Sequence, residues 1–262
     1  MVDASKNPVQ GIEELKKVRI AKMDAFKAKG INPFAYTFEQ THKAAQLQTA
    51  YADLANGTER EDIEVSVSGR IMLRRVFGKL AFFQLQDDTG SIQLYLEKGK
   101  LPDESFEDIK SLTDAGDIIG VKGTLKRTDK VRNSILATPL QVFFFTLIVL
   151  SKYQGELSIY ATEWSILTKS LLPLPDKFHG LTDVSKRYRQ RHLDMIVHPE
   201  VRNVFRSRAF INTAIRRHLD TDGFIEIETP ILNAQPGGAE AKPFATRHNS
   251  LDMELTLRIA PE

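Results

Sequence analysis

From Val65 onward the apolar residues stop recurring every three or four positions and alternate one by one, and this period-two pattern returns five times within about a hundred residues. The runs are "VSVSGRIML", "LAFFQLQD", "SIQLYL", "DIIGVKGTLKR" and "ELSIYATEWSIL". Strict alternation gives a strand one face for a core and one for water, so each run is a strand candidate. The breaks between them are the turn sequences "FGK" and "DDTG" and, after the third run, the longer polar segment "EKGKLPDESFEDIKSLTDAGD". Five short strands with one long connection after the third predict a small closed barrel of the OB type.

The alternation also assigns faces. Phe83 and Leu85 share one side of the second strand, with Phe82, Gln84 and Gln86 on the other. Ile92, Leu94 and Leu96 share one side of the third, with Ser91, Gln93 and Tyr95 opposite. One outer face is thus aromatic plus amide, which suits unpaired bases: a ring stacks on any base, and a glutamine can donate to or accept from a base edge. Arg70, Arg74 and Arg75 on the first strand are candidates for holding phosphates. By pattern alone, Phe82 packed under a loop and a solvated arginine edge stand on equal terms with that reading.

Around the barrel the period is helical. Residues 12–30 predict an amphipathic helix stopped at Gly30, and residues 41–54 a second, polar one, followed by the turn "ANGTERED". Downstream of the barrel "LLPLPDKFHG" reads as a linker and "SKRYRQRHLD" as a basic run. Then His198-Pro199-Glu200 opens a long helix whose apolar residues, Val201 to Leu219, fall on one face. Gly223 ends it, and "FIEIETPIL" reads as a strand stopped at Pro230. The expected fold is therefore α+β, with a helical extension over 1–62, the barrel over 63–172, and a third region over 173–262. The charge balance of +2 calls for no polyanion partner by itself, and the absence of cysteine removes disulfides and thiolate chemistry from consideration. No secretory or transit signal is recognisable at the start, so cytoplasmic residence is the expectation.

Barrel, linker and helix–Gly–strand–Pro in this order resemble a class II aminoacyl-tRNA synthetase with an N-terminal OB anticodon-binding domain, and "DGFIEIETPIL" resembles that class's motif 1, an element of its dimer interface. "PDKFHGLTDVSKRYRQRHLDMI" and "PILNAQPGGAEAKPFATRHNSLDMELTLRIAPE" are similar to the lysyl-tRNA synthetase family in particular. The resemblance implies ATP-dependent activation of lysine and transfer to tRNA(Lys), with ATP and Mg2+ as cofactors. Both steps are displacements that need positioning and charge neutralisation more than an acid–base pair. It implies substrate-lysine contacts at Gly238 and Glu262, and anticodon contacts at Phe82 as stacker, at Gln93 and Glu156 as base-edge partners, and more loosely at Arg74. A uracil-rich anticodon would suit such amide and carboxylate groups. Gly223, Phe224 and Pro230 fall in the implied homodimer interface. Without the resemblance, Gly238 and Glu262 would read as a turn glycine and a surface carboxylate.

The sequence departs from that pattern. It reaches Glu262 just as motif 2 begins, so the motif 2 arginine and motif 3 do not appear, and these residues alone are expected not to aminoacylate. Arg247 stands where the family usually has histidine, and His192 where tyrosine is commoner. A non-catalytic tRNA- or RNA-binding protein that keeps the barrel is the competing expectation. Finally, residues 131–154, which contain the apolar run "VFFFTLIVL", interrupt the resemblance. Removing these 24 residues joins two strands through a compact turn as "KRTDKGELSIY". A membrane span there would separate two strands of one barrel, and a hairpin tip so apolar would be exposed to water. The segment reads best as a translated intron: Val131 can encode a 5′ splice signal, Gln154 a 3′ one, and the phenylalanine-rich stretch a pyrimidine tract. That reading implies a eukaryotic gene.

Overall fold

The computed structural model describes residues 8–129, 155–175 and 181–260. The chain divides into two compact units, 1–180 and 181–262. In the first, α1 (Pro8–Ala28) and α2 (Ala44–Ala50) precede the strands β1 (Glu59–Phe77), β2 (Leu80–Gln86), β3 (Ser91–Glu97), β4 (Ile118–Arg127) and β5 (Leu157–Thr168). They close into a barrel of order β1-β2-β3-β5-β4, completed by the parallel pairing of β3 with β5, in which Gln93 faces Ser158 and Tyr95 faces Tyr160. The alternation expected from the sequence is realised: in β2 and β3 every second residue is buried, from Ala81 to Leu85 and from Ile92 to Leu96. The acidic connection after β3, read from sequence only as polar, carries α3 (Asp103–Leu112), whose Phe106 and Ile109 join the barrel's hydrophobic core. The polar helix expected over 41–54 shortens to α2, which places Leu47 in the same core.

The helical extension is bolted onto the barrel. Gly30, at φ 75°, ends the first helical segment as expected, since that backbone conformation costs glycine little. From the middle of α1, Arg19 donates to the carbonyls of Ala115, Ser170 and Leu172, and Lys22 pairs with Asp114 at 2.7 Å. Asp114 also accepts from Lys169 at 2.6 Å, and Lys169 reaches the wholly buried Asp117 at 2.8 Å.

Burial pushes the Asp114 carboxyl up, but the hydrogen bonds from Lys169 and Lys22 outweigh it and hold the group below the usual carboxylate range. A folded pKa below the unfolded value of about 3.9 gives stability that is complete above that value and is lost as pH falls through the folded one. The urea midpoint is therefore expected to decline below about pH 4, with a shallower acid limb in Asp114→Asn; parallel acid limbs for the two proteins would refute this.

The ends of β4 and β5 are pinned together. Thr128 donates its amide to the Glu156 carbonyl (3.2 Å), and Glu156 donates its own to Thr128 Oγ1 (2.9 Å). Gly155 donates to Asn56 Oδ1 at 2.7 Å, and its carbonyl accepts from Arg127 at 2.9 Å. A Cβ on Gly155 would lie 1.5 Å from the Thr128 oxygen, so only glycine fits this approach. The insertion assigned to 131–154 lies outside the described residues.

The second unit contains α4 (Val184–Arg189), α5 (Arg191–Val197), the long α6 (Pro199–Thr221) and a small sheet of order β6-β8-β7 built from β6 (Leu232–Asn233), β7 (Ala245–His248) and β8 (Met253–Leu257). The basic run forms α4 and α5 because a buried carboxylate gathers it: Asp194 accepts from Arg187 at 2.8 Å and Arg191 at 2.5 Å, and His198 Nδ1 lies 2.8 Å away. The strand expected over 224–230 is not formed. Those residues carry no ladder among the described residues, and Ile225 and Ile227 are exposed. A strand needs a hydrogen-bonding neighbour, and its alternating pattern alone does not supply one. Along α6 the apolar residues Val204, Phe205, Ile211, Ile215 and Leu219 are likewise exposed.

Candidate nucleic-acid interface

The outer face of β1, β2 and β3, with the end of β4, forms a groove of about 450 Å³ lined by Phe82, Gln84, Gln93, Tyr95 and the carboxylates of Asp129 and Glu156, together with Arg75 and Lys126. The period-two alternation that sends Phe83 and Leu94 inward is what turns these residues outward. A row of rings crosses the face. Phe77, Phe82, Tyr95 and Tyr160 meet edge to face with successive centroid separations of 6.4, 5.1 and 5.0 Å. These contacts fix the rings before any ligand arrives, so a base stacking on Phe82 meets a surface that loses little freedom.

The polar part of the groove is equally ordered. Gln93 donates through Nε2 to Glu156 Oε2 at 2.7 Å, and its Oε1 accepts from the buried Ser158 hydroxyl at 2.8 Å. Tyr160 donates its hydroxyl to Glu97; burial and then that carboxylate push its phenol well above the usual tyrosine range, so it stays neutral. Burial, followed by Glu97 and Glu59, shifts Tyr95 in the same direction. Lys126 spreads over both phenol rings, 4.8 and 4.7 Å from their centroids, and lies 3.6 Å from Glu59. The groove therefore offers a ring to stack on, an N–H donor beside a carboxylate acceptor, and two cations at the sides.

Of the residues singled out in the sequence, Phe82, Gln93 and Glu156 come together in this groove. Arg74 does not. Its guanidinium turns under α3 to donate to the Lys110 carbonyl at 2.6 Å and stands 5.0 Å from the Phe83 ring. Arg70 is committed to the Gly116 carbonyl at 2.6 Å. A register shift between Ile71 and Leu73 sets Arg75 opposite Phe82, and it is Arg75 that reaches the groove. Lys126 is a groove residue that the sequence reading misses, although its place between the buried Leu125 and Arg127 on β4 marks it as outward. In the second unit Gly238 sits in a loop at φ 84°, a left-handed conformation that favours glycine. Gly223, at φ 86°, closes α6, and the exposed Phe224 follows it. Glu262 lies outside the described residues. Arg247 on β7 pairs with Asp252 in the turn before β8. Among the described residues no helix is long and apolar enough to cross a membrane.

A closed five-stranded barrel with an aromatic–amide groove, followed by a long helix ended by glycine, is the plan of a class II aminoacyl-tRNA synthetase with an N-terminal anticodon-binding barrel. Residues 65–167 match the family described as OB-fold nucleic acid binding domain, and residues 183–262 match tRNA synthetases class II (D, K and N). Three relatives narrow the assignment. The lysine–tRNA ligase of Nostoc punctiforme is 54% identical over 257 residues, covering 95% of this chain and 41% of its own length. That of Thermosynechococcus vestitus is 54% identical over 253 residues (95% and 45%). The chloroplastic/mitochondrial lysine–tRNA ligase of Arabidopsis thaliana is 49% identical over 252 residues (95% and 38%). The chain belongs to the lysyl-tRNA synthetase family, and it spans less than half the length of these relatives. Two of the three are cyanobacterial, so they lend no support to the expectation of a eukaryotic gene.

Proposed function

We propose that this chain supplies the tRNA-reading part and the beginning of the catalytic part of a lysine–tRNA ligase, which activates lysine with ATP and transfers it to tRNA(Lys). The observation that carries the reading is the groove: the Phe82 ring in its lining, beside a Gln93–Glu156 pair held at 2.7 Å. Anticodon bases lie in a loop, unstacked enough to be splayed onto such a platform and read along their edges. Arg75 and Lys126 are placed for phosphates rather than bases, so they contribute affinity without sequence preference. Arg74, committed to α3, has no part in this.

In the second unit, Gly238 leaves backbone room beside the amino-acid substrate, and Glu262 pairs with its ammonium group. The exposed apolar face of α6, together with Gly223, Phe224 and Pro230, becomes the contact between two copies in a homodimer. ATP and Mg2+ belong to the activity of the whole ligase. Among the described residues no three acidic or histidine side chains gather as a metal site.

The test is direct binding of this chain to labelled RNA stem-loops. A loop with a UUU anticodon is expected to bind at least about tenfold more tightly than one with AAA, and to lose affinity as salt is raised. Equal affinity for both loops would overturn the reading.

A further inference from the structure

The side-chain amide of Gln93 can face either way, and the two orientations present opposite chemistry to a base. Its surroundings permit only one. On one side stands Glu156 Oε2, a carboxylate oxygen that can only accept, so the amide nitrogen must point there, and it does so at 2.7 Å. On the other side stands the Ser158 hydroxyl, wholly buried, which donates to Gln93 Oε1 at 2.8 Å. The same hydroxyl lies 3.1 Å from the Glu156 carbonyl, and its single proton favours the shorter contact. Topology makes this possible, because Gln93 and Ser158 are direct partners in the parallel β3–β5 pair that closes the barrel.

We propose, resting on the base-reading role of the groove, that Ser158 is a positioning residue that lets the groove distinguish uracil from cytosine although it does not line the groove. Uracil and cytosine have nearly the same shape and differ in the order of donor and acceptor along their edges: N3–H beside a carbonyl oxygen in one, N3 beside an amino group in the other. A groove whose own donor and acceptor are held in one order, with the ring at one depth on Phe82, accepts only one of them. Removing the Ser158 hydroxyl leaves Gln93 Oε1 without its donor, and the amide gains by leaving that arrangement for others. The fixed order then dissolves, while Phe82 and the phosphate contacts remain.

The experiment measures the affinity of the full chain for the UUU stem-loop and for three variants carrying cytosine at one anticodon position each. The wild-type chain is expected to prefer uracil by about tenfold or more at one position at least. Ser158→Ala is expected to reduce that preference to about threefold or less with only a minor loss in affinity for UUU itself, and Ser158→Thr, which keeps the hydroxyl, to restore it. Should Ser158→Ala fail to fold, Ser158→Cys carries the same test, since its thiol fills the space but donates weakly. A wild-type preference retained in full by Ser158→Ala overturns the role of Ser158 and leaves the groove reading standing. A wild-type chain that binds all four loops equally overturns the discrimination between uracil and cytosine, and the comparison of UUU with AAA loops then decides whether the groove reading stands.

Discussion

Replacing Lys169 by alanine is expected to lower the stability of the barrel unit by about 3–5 kcal/mol. Its side chain is fully buried, and its ammonium group donates to Asp114 Oδ2 at 2.6 Å, Asp117 Oδ2 at 2.8 Å and the Leu112 carbonyl at 2.9 Å. All three protons are used, so the charge is compensated only while the whole cluster is intact. Without the lysine, Asp114 keeps Lys22, and Asp117 keeps the amides of Asp114 and Ser170, but the buried carboxylate of Asp117 loses its cation. Urea unfolding followed by the fluorescence of Trp164, the one tryptophan in the chain, measures the loss. Lys169→Met separates packing from charge, since it keeps most of the stem. If it is as stable as the wild type, the ion cluster is not what holds β5 to the α3–β4 connection.

Phe82→Ala is expected to weaken binding of the UUU stem-loop by about 1–3 kcal/mol, or roughly fivefold to 150-fold, with the salt dependence unchanged. The reason lies in a division of labour: the ring contributes stacking, whereas Arg75 and Lys126 contribute the charge whose neutralisation sets the salt slope. Phe82 is half-buried on the outer face and meets Phe77 and Tyr95 in T-shaped contacts, so its removal leaves its buried neighbours Ala81 and Phe83 in the barrel core. A change in salt slope without a change in affinity at low salt would assign the ring to shaping the charged rim instead of to the base.

The barrel was legible in the sequence because its signal is local and repeated. Every second residue of β2 and β3 has to face one core, and a one-residue slip would turn all of them to water. The outward placement of Phe82 and Gln93 followed from the same arithmetic, whereas Glu156 was named only through the family resemblance. What alternation could not reveal was the register shift in β1, where Arg74 and Arg75 exchange the places a regular strand would give them. Nor could it reveal α3, whose polar surface hides two buried residues, or the commitment of Ser158, which depends on a parallel pairing between segments more than sixty residues apart. In the second unit, "FIEIETPIL" carries a strand's pattern but lacks among the described residues the neighbour that would make it one.

The ends of β4 and β5 are pinned by contacts made outside residues 131–154. The entropy of closing a loop grows only with the logarithm of its length, about 0.6 kcal/mol for each doubling, and the anchors at Arg127, Thr128 and Gly155 are made by residues that bracket the segment. A chain from which residues 131–154 are deleted is therefore expected to form the same barrel with the same groove.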